Sequence, residues 1–161
     1  MAKPVETPFP DPGTLLPGAT FGDCFSLTLQ GHDLDAFETS QRVFGRTPGW
    51  IRGLLATRNV IARPFGLKAG SPSTQREGKQ IGIFPVISRT PDRVVMGMDD
   101  KHLDFRVSVD ITRRETGEQD VSVATAVKTH NWLGRTYLAT IMPFHRIIVP
   151  AMLAQAAPKS V

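Results

Sequence analysis

Cysteine is nearly absent from this chain: Cys24 is the only one in 161 residues. That excludes an internal disulfide framework and fits a reducing compartment, so a cytoplasmic location is expected. There is no paired CxxC, no phosphate-cradling P-loop, no dinucleotide fingerprint and no nucleophile elbow. Acidic residues are slightly outnumbered, and the formal net charge is +4. The basic residues are scattered and rarely interleaved with aromatics, which argues against a nucleic-acid partner. No unbroken apolar run approaches the roughly 20 residues of a transmembrane helix, so no integral membrane segment is expected. The opening stretch, "MAKPVETPFPDPGTLLPGA", has many prolines and no apolar h-region. It reads as an extended arm over residues 1–19, not as a signal peptide.

What is present reads as one domain over residues 20–157, long enough to bury a core without staples. "DCFSLTLQ" (Asp23 to Gln30) is a first strand, with Cys24 packed or partly covered. Asp33 suits the N-cap of a helix carrying Asp35 and Glu38 in its first turn, with Leu34, Phe37 and Phe44 as its apolar stripe. Gly45 falls at a helix C′ position. Thr47 and Pro48 suit the start of a second helix running to about Arg63, with Ile51, Leu54, Leu55 and Ile61 inward and Arg52, Asn59 and Arg63 on another face. "GLKAGSPSTQREGKQ" is a loop.

The period then changes to two. "IGIFPVISRT" is a strand that Pro85 makes an edge strand or a bulged one. "DRVVMGM", "LDFRVSVDITRRE" and "QDVSVATAVKTH" complete an antiparallel meander with one buried face and one polar face. Pairing Met98 with Leu103 and Met96 with Phe105 leaves Asp99 to His102 as a hairpin loop. Last comes a helix from about Trp132 to Gln155 with Asn131 as N-cap, bent by Pro143 and Pro150. Leu133, Tyr137, Ile141, Phe144, Ile148 and Met152 lie in one arc, which Leu138, Met142, Val149 and Leu153 widen, with Arg135 and Arg146 opposite.

Two constellations carry chemistry. Asp100, His102, Asp104 and His130 gather polar groups at one rim, as acid/base groups or a polar contact, or else as a charged turn with one cross-strand pair. Their pattern matches no metal-ligand motif, and no metal is expected. His145 falls inside the apolar arc and should point at the sheet, as a satisfied core histidine or as a polar contact in a cavity. Asn131 and His145 stand about 21 Å apart along the helix, so His130 and His145 are not expected to share a site. The Arg46-Thr47 helix start is a weaker anion-site candidate, explained equally by a helix–helix corner. Trp50 and Trp132 read as core or rim packing.

"FGRTPGW", "DDKHLDFRVSV" and "THNWLGRTYLATIMPFHRIIVPAML" together resemble a bacterial family of unknown function. That family is similar to the helix-grip, or START-like (SRPBCC), superfamily, which also holds polyketide cyclases and plant pollen-allergen proteins. The resemblance covers about residues 20 to 155. It implies an α+β helix-grip fold: a curved antiparallel sheet wrapped around a long C-terminal helix, with two short helices after the first strand. Its motifs have no assigned chemistry, so no catalytic residue carries over. The superfamily usually has more than the five strands counted here, so either a further strand lies near Leu15 to Thr20 or the cavity is reduced. The expected function is binding of an apolar or amphipathic small molecule between sheet and helix, lined by Tyr137, Ile141, Phe144, His145, Ile148 and Met152. Asp100 and His102 would form the rim. No cofactor is expected. A cyclase- or hydrolase-like enzyme using a buried histidine and a ligand-free interaction module are the alternatives.

Overall fold

Alternating apolar and polar residues build the sheet, and every strand pair in it is antiparallel. The computed structural model describes residues 3–9, 11–30, 34–45, 49–53, 56, 80–81, 84–99 and 102–156. In chain order the strands are β1 (Val5–Thr7), β2 (Phe21–Gln30), β3 (Gln80–Ile81), β4 (Phe84–Arg89), β5 (Arg93–Asp99), β6 (Leu103–Arg113) and β7 (Glu118–Thr129). The spatial order is β1-β2-β7-β6-β5-β4-β3. The helices are α1 (Ala36–Phe44), α2 (helical residues 49–53) and α3 (Trp132–Leu153), which ends in a 3-10 turn at Ala154–Ala156. One antiparallel sheet with a long C-terminal helix laid across a single face is the helix-grip α+β arrangement.

One face of the sheet carries Phe25, Leu27, Leu29, Val121, Val123, Val107, Val109, Ile111, Val94 and Met96, and these form the core. α1 covers it with Ala36, Val43 and Phe44, and the end of α3 with Val149, Met152 and Leu153. Burial of such side chains contributes about 1.5–3 kcal/mol each. α1 starts where Asp35, in extended conformation, accepts from the Glu38 N–H at 2.6 Å. The N-cap is therefore Asp35, two residues after the position expected. Gly45 closes α1 in the right-handed region, at φ −73°, so no left-handed C′ glycine is used. Gln119, 2% exposed, grips the entry to α1: Leu34 N–H donates to its Oε1 (3.1 Å) and its Nε2 donates to Leu34 C=O (3.2 Å).

Several expectations are corrected. The β5–β6 hairpin pairs Met98 with Phe105 and Met96 with Val107, two residues away from the expected register. A slip of two returns every side chain to its own face, so the apolar pattern cannot distinguish the registers. The observed one brings Arg106 Nη1 to 2.7 Å from Asp99 Oδ1. The additional strand is β1, at Val5–Thr7, and not at Leu15 to Thr20. Residues 12–22 include a 3-10 turn whose Pro12 lies against Gly22, where a Cβ would collide with the proline ring. "IGIFPVISRT" is divided between β3 and β4, with a register shift between Val86 and Ser88, the bulge that Pro85 announced. The second helix is seen at 49–53 and 56. Leu54, Leu55, Asn59, Ile61 and Arg63 lie outside the described residues, as do Asp33, Arg46, Thr47 and Pro48.

α3 runs unbroken through Pro143 and Pro150. Trp132–Ala156 is long and apolar enough to cross a membrane by length and composition, contrary to the sequence expectation. Arg135, His145 and Arg146 interrupt each apolar run without making the helix polar on average. Trp50 and Trp132 are exposed rather than packed.

Candidate functional site

β2 sets an alternation in which Phe21, Asp23, Phe25, Leu27 and Leu29 share the helix-facing side. Asp23 is thus the one charged residue in an inward row of apolar ones, and it is 8% exposed. Thr125 of β7 lies directly across from it and is also buried. His145 descends from α3 onto this pair, its Nε2 2.9 Å from Asp23 Oδ2. Phe21 holds the imidazole edge-on, ring centroids 6.4 Å apart at 83°.

The contact is close but incompletely satisfied. Among the described residues neither His145 Nε2 nor Asp23 Oδ1 has an aligned hydrogen-bond partner, and both atoms are buried. A buried carboxylate oxygen without a donor is costly, by about 1–3 kcal/mol or more. Gln119 shows the alternative: an equally buried polar side chain with its amide groups bonded to Leu34, which has an evident structural role. With Nε2 turned to Asp23, Nδ1 is the nitrogen left for another partner, and a carboxylate on one side of an imidazole fixes its orientation.

Asp23 also stands at a boundary. Toward Phe25 the sheet is dry and covered. Toward Phe21 both facing surfaces are apolar yet only half-buried: Phe21 and Phe105 on the sheet, Tyr137, Leu138 and Ile141 on α3. Of the expected lining residues, His145, Ile141, Tyr137, Ile148 and Met152 lie on buried or half-buried parts of α3. Phe144 does not, being 46% exposed. The inward direction, marked by Gly134, His145, Val149, Met152 and Leu153, lies about 85° from the centre of the six-residue arc at 100° per residue, on the side that Leu138, Met142, Val149 and Leu153 were expected to widen. A helix apolar on most of its circumference gives its wheel no sharp inward direction.

The rim residues divide into ordinary pairings. His130 Nε2 is 3.0 Å from Asp104 Oδ1, and Asp104 pairs across the strands with Lys128. His102 Nδ1 meets Asn131 Nδ2 at 3.1 Å, and the His102 carbonyl accepts from the His130 N–H at 2.9 Å. Asn131 caps α3, its Oδ1 accepting from Gly134 N–H at 2.9 Å. His102 therefore brings the β5–β6 hairpin against the start of α3 and works as part of the helix's socket. Asp100 lies outside the described residues. Among the described residues no three potential ligands gather to hold a metal. His130 and His145 take different carboxylates.

Sequence reasoning found His145 but missed Asp23, which it took only as the first residue of a strand. The signal was available: Asp23 shares the period-two face of Phe25, Leu27 and Leu29.

The fold defines a helix-grip domain, and Asp23 and His145 form a buried polar pair between its sheet and helix. Residues 15–152 match the model of the family described as "Protein of unknown function (DUF2867)", and the chain belongs to that family. No curated protein matches it. Among solved structures, CalU16 from Micromonospora echinospora aligns over 96% of this chain and 93% of its own at 9% identity. The TM-score is 0.29, too low for the likeness to bear on function.

Proposed function

We infer that the protein binds an apolar or amphipathic small molecule between the sheet and α3, and that Asp23 and His145 recognise its polar end. The observation that carries this reading is the buried Asp23 Oδ1, which has no donor among the described residues. A ligand bearing a hydroxyl, amine or amide N–H would supply that donor. His145, 18% exposed at its side chain, is the group past which the ligand reaches it. The half-buried apolar surfaces of Phe21, Phe105, Tyr137 and Ile141 would take the rest of the molecule. The START-like resemblance of the sequence supports the same reading, and the single cysteine supports a cytoplasmic setting.

Native mass spectrometry of the freshly purified protein tests retention of such a ligand. A discrete extra mass, lost on denaturation and absent from Asp23→Asn, is the expected result. An extra mass retained by Asp23→Asn would remove Asp23 from the site.

The Asp23–His145 geometry also favours a second reading, acid/base catalysis through Nδ1 with Asp23 as the positioning residue. A pH–rate profile whose acidic limb, set by His145 as general base, is lost in His145→Gln would distinguish catalysis from binding.

A further inference from the structure

We propose that the outward face of α3 docks this protein on an anionic lipid surface. α3 carries apolar residues on both sides. Its inner side enters the core through Val149, Met152 and Leu153. Its outer side leaves Trp132 68%, Ile147 60% and Phe144 46% exposed. At about 100° per residue these three fall within about 120° of one another, with Thr136, Thr140 and Pro143 between them. All three intervening residues are exposed and none is charged. A half-exposed helix of this composition is unusual for a protein surface.

Charge identifies the occupant. Arg135 and Arg146 are exposed and flank the stripe on one side. No Asp or Glu follows Asp120 in the sequence, whereas Lys128, Arg135, Arg146 and Lys159 do. All of the protein's acidic residues thus lie before the last 41 residues, and the net charge is +4. An apolar stripe with a tryptophan, edged by arginines and free of carboxylates, is the composition of a helix lying in the plane of an anionic bilayer. Insertion across the bilayer is a poorer fit, because Val149, Met152 and Leu153 are buried in the protein's own core. A protein partner would gain from the same apolar area but has no particular need of a face without carboxylates.

Vesicle cosedimentation of the full chain tests the proposal. Vesicles of phosphatidylcholine alone are compared with vesicles containing phosphatidylglycerol. The expected result is partition at least about ten-fold stronger on the anionic vesicles, falling with added salt. Phe144→Ser with Ile147→Ser should lower partition about ten-fold or more, and Arg135→Glu with Arg146→Glu should abolish the anionic preference. All four positions are exposed, so far-UV circular dichroism and melting temperature should stay close to wild type. Tryptophan emission in Trp50→Phe should shift to the blue on vesicle addition, reporting Trp132 alone. No partition on either vesicle, or partition unaffected by both double variants, overturns the proposal. A concentration-dependent dimer that dissociates in Phe144→Ser/Ile147→Ser without vesicle binding also overturns it, by assigning the stripe to a second copy.

Discussion

The carbonyl of His102 occupies the space that a Cβ on Gly134 would need. This contact seats the first turn of α3 on the β5–β6 hairpin, and the opposing atom is backbone, which cannot swing aside. Gly134→Ala should therefore cost about 1–3 kcal/mol, although alanine is the better helix former. Gly53→Ala is the control. Gly53 is also helical, and a Cβ there meets nothing within 4 Å. That change should be neutral or stabilising by about 0.5–1 kcal/mol. Thermal melts of the two variants check the pair, and equal effects would show that the socket does not position α3.

Asn131 serves the same socket from the other side, capping Gly134 N–H and meeting His102 Nδ1. Asn131→Ala should lower stability by about 1 kcal/mol, and Asn131→Asp less, because a carboxylate still caps the helix. Urea denaturation measures both.

Two buried polar side chains are expected to behave oppositely. Gln119→Leu strands the Leu34 N–H and leaves the Leu34 C=O only the longer contact from Arg113 Nη2, and should cost about 1–3 kcal/mol. Asp23→Asn keeps volume and removes a poorly compensated buried charge, so stability should stay level or rise. Melting temperatures of the two variants compare them directly.

Burial pushes the Cys24 thiol above its ordinary range, against the opposing hydrogen bonds of Thr7 and Ser26. A raised folded-state value means that the native thiol keeps its proton where the unfolded thiol has lost it. The contribution to stability is complete below the unfolded thiol's range and declines as pH rises through and above it. Cys24→Ser should flatten this alkaline decline, and iodoacetamide should label native Cys24 with a midpoint above that of the unfolded chain. A midpoint at or below the unfolded value would contradict the burial account.

Element types were largely legible because periodicity reports burial: Leu103, Phe105, Val107, Val109 and Ile111 fixed a face of β6, and Asn131 marked the start of α3. Register was less legible. The β5–β6 slip preserves every face, and it is particular charge contacts, Arg106 with Asp99 and Arg93 with Asp110 directly across from it, that distinguish the observed alignment. β1 was missed because three residues among prolines carry no periodic signal. Phe144 was misplaced because α3 is apolar almost all round. His145 was recoverable from the helical wheel and Asp23 from the period-two face of β2, but their pairing needed the β2–α3 contact, which brings together residues 122 positions apart and leaves no local pattern.

The central claim is that Asp23 and His145 recognise a ligand between sheet and helix. Fluorescence titration with N-phenyl-1-naphthylamine, an apolar probe bearing one N–H donor, tests it most directly in wild type, Asp23→Asn and His145→Ala. Saturable one-to-one binding is predicted, weakened about ten-fold or more in Asp23→Asn at an undiminished melting temperature. Equal affinity in wild type and Asp23→Asn, or no saturable binding to the folded protein, would contradict the claim.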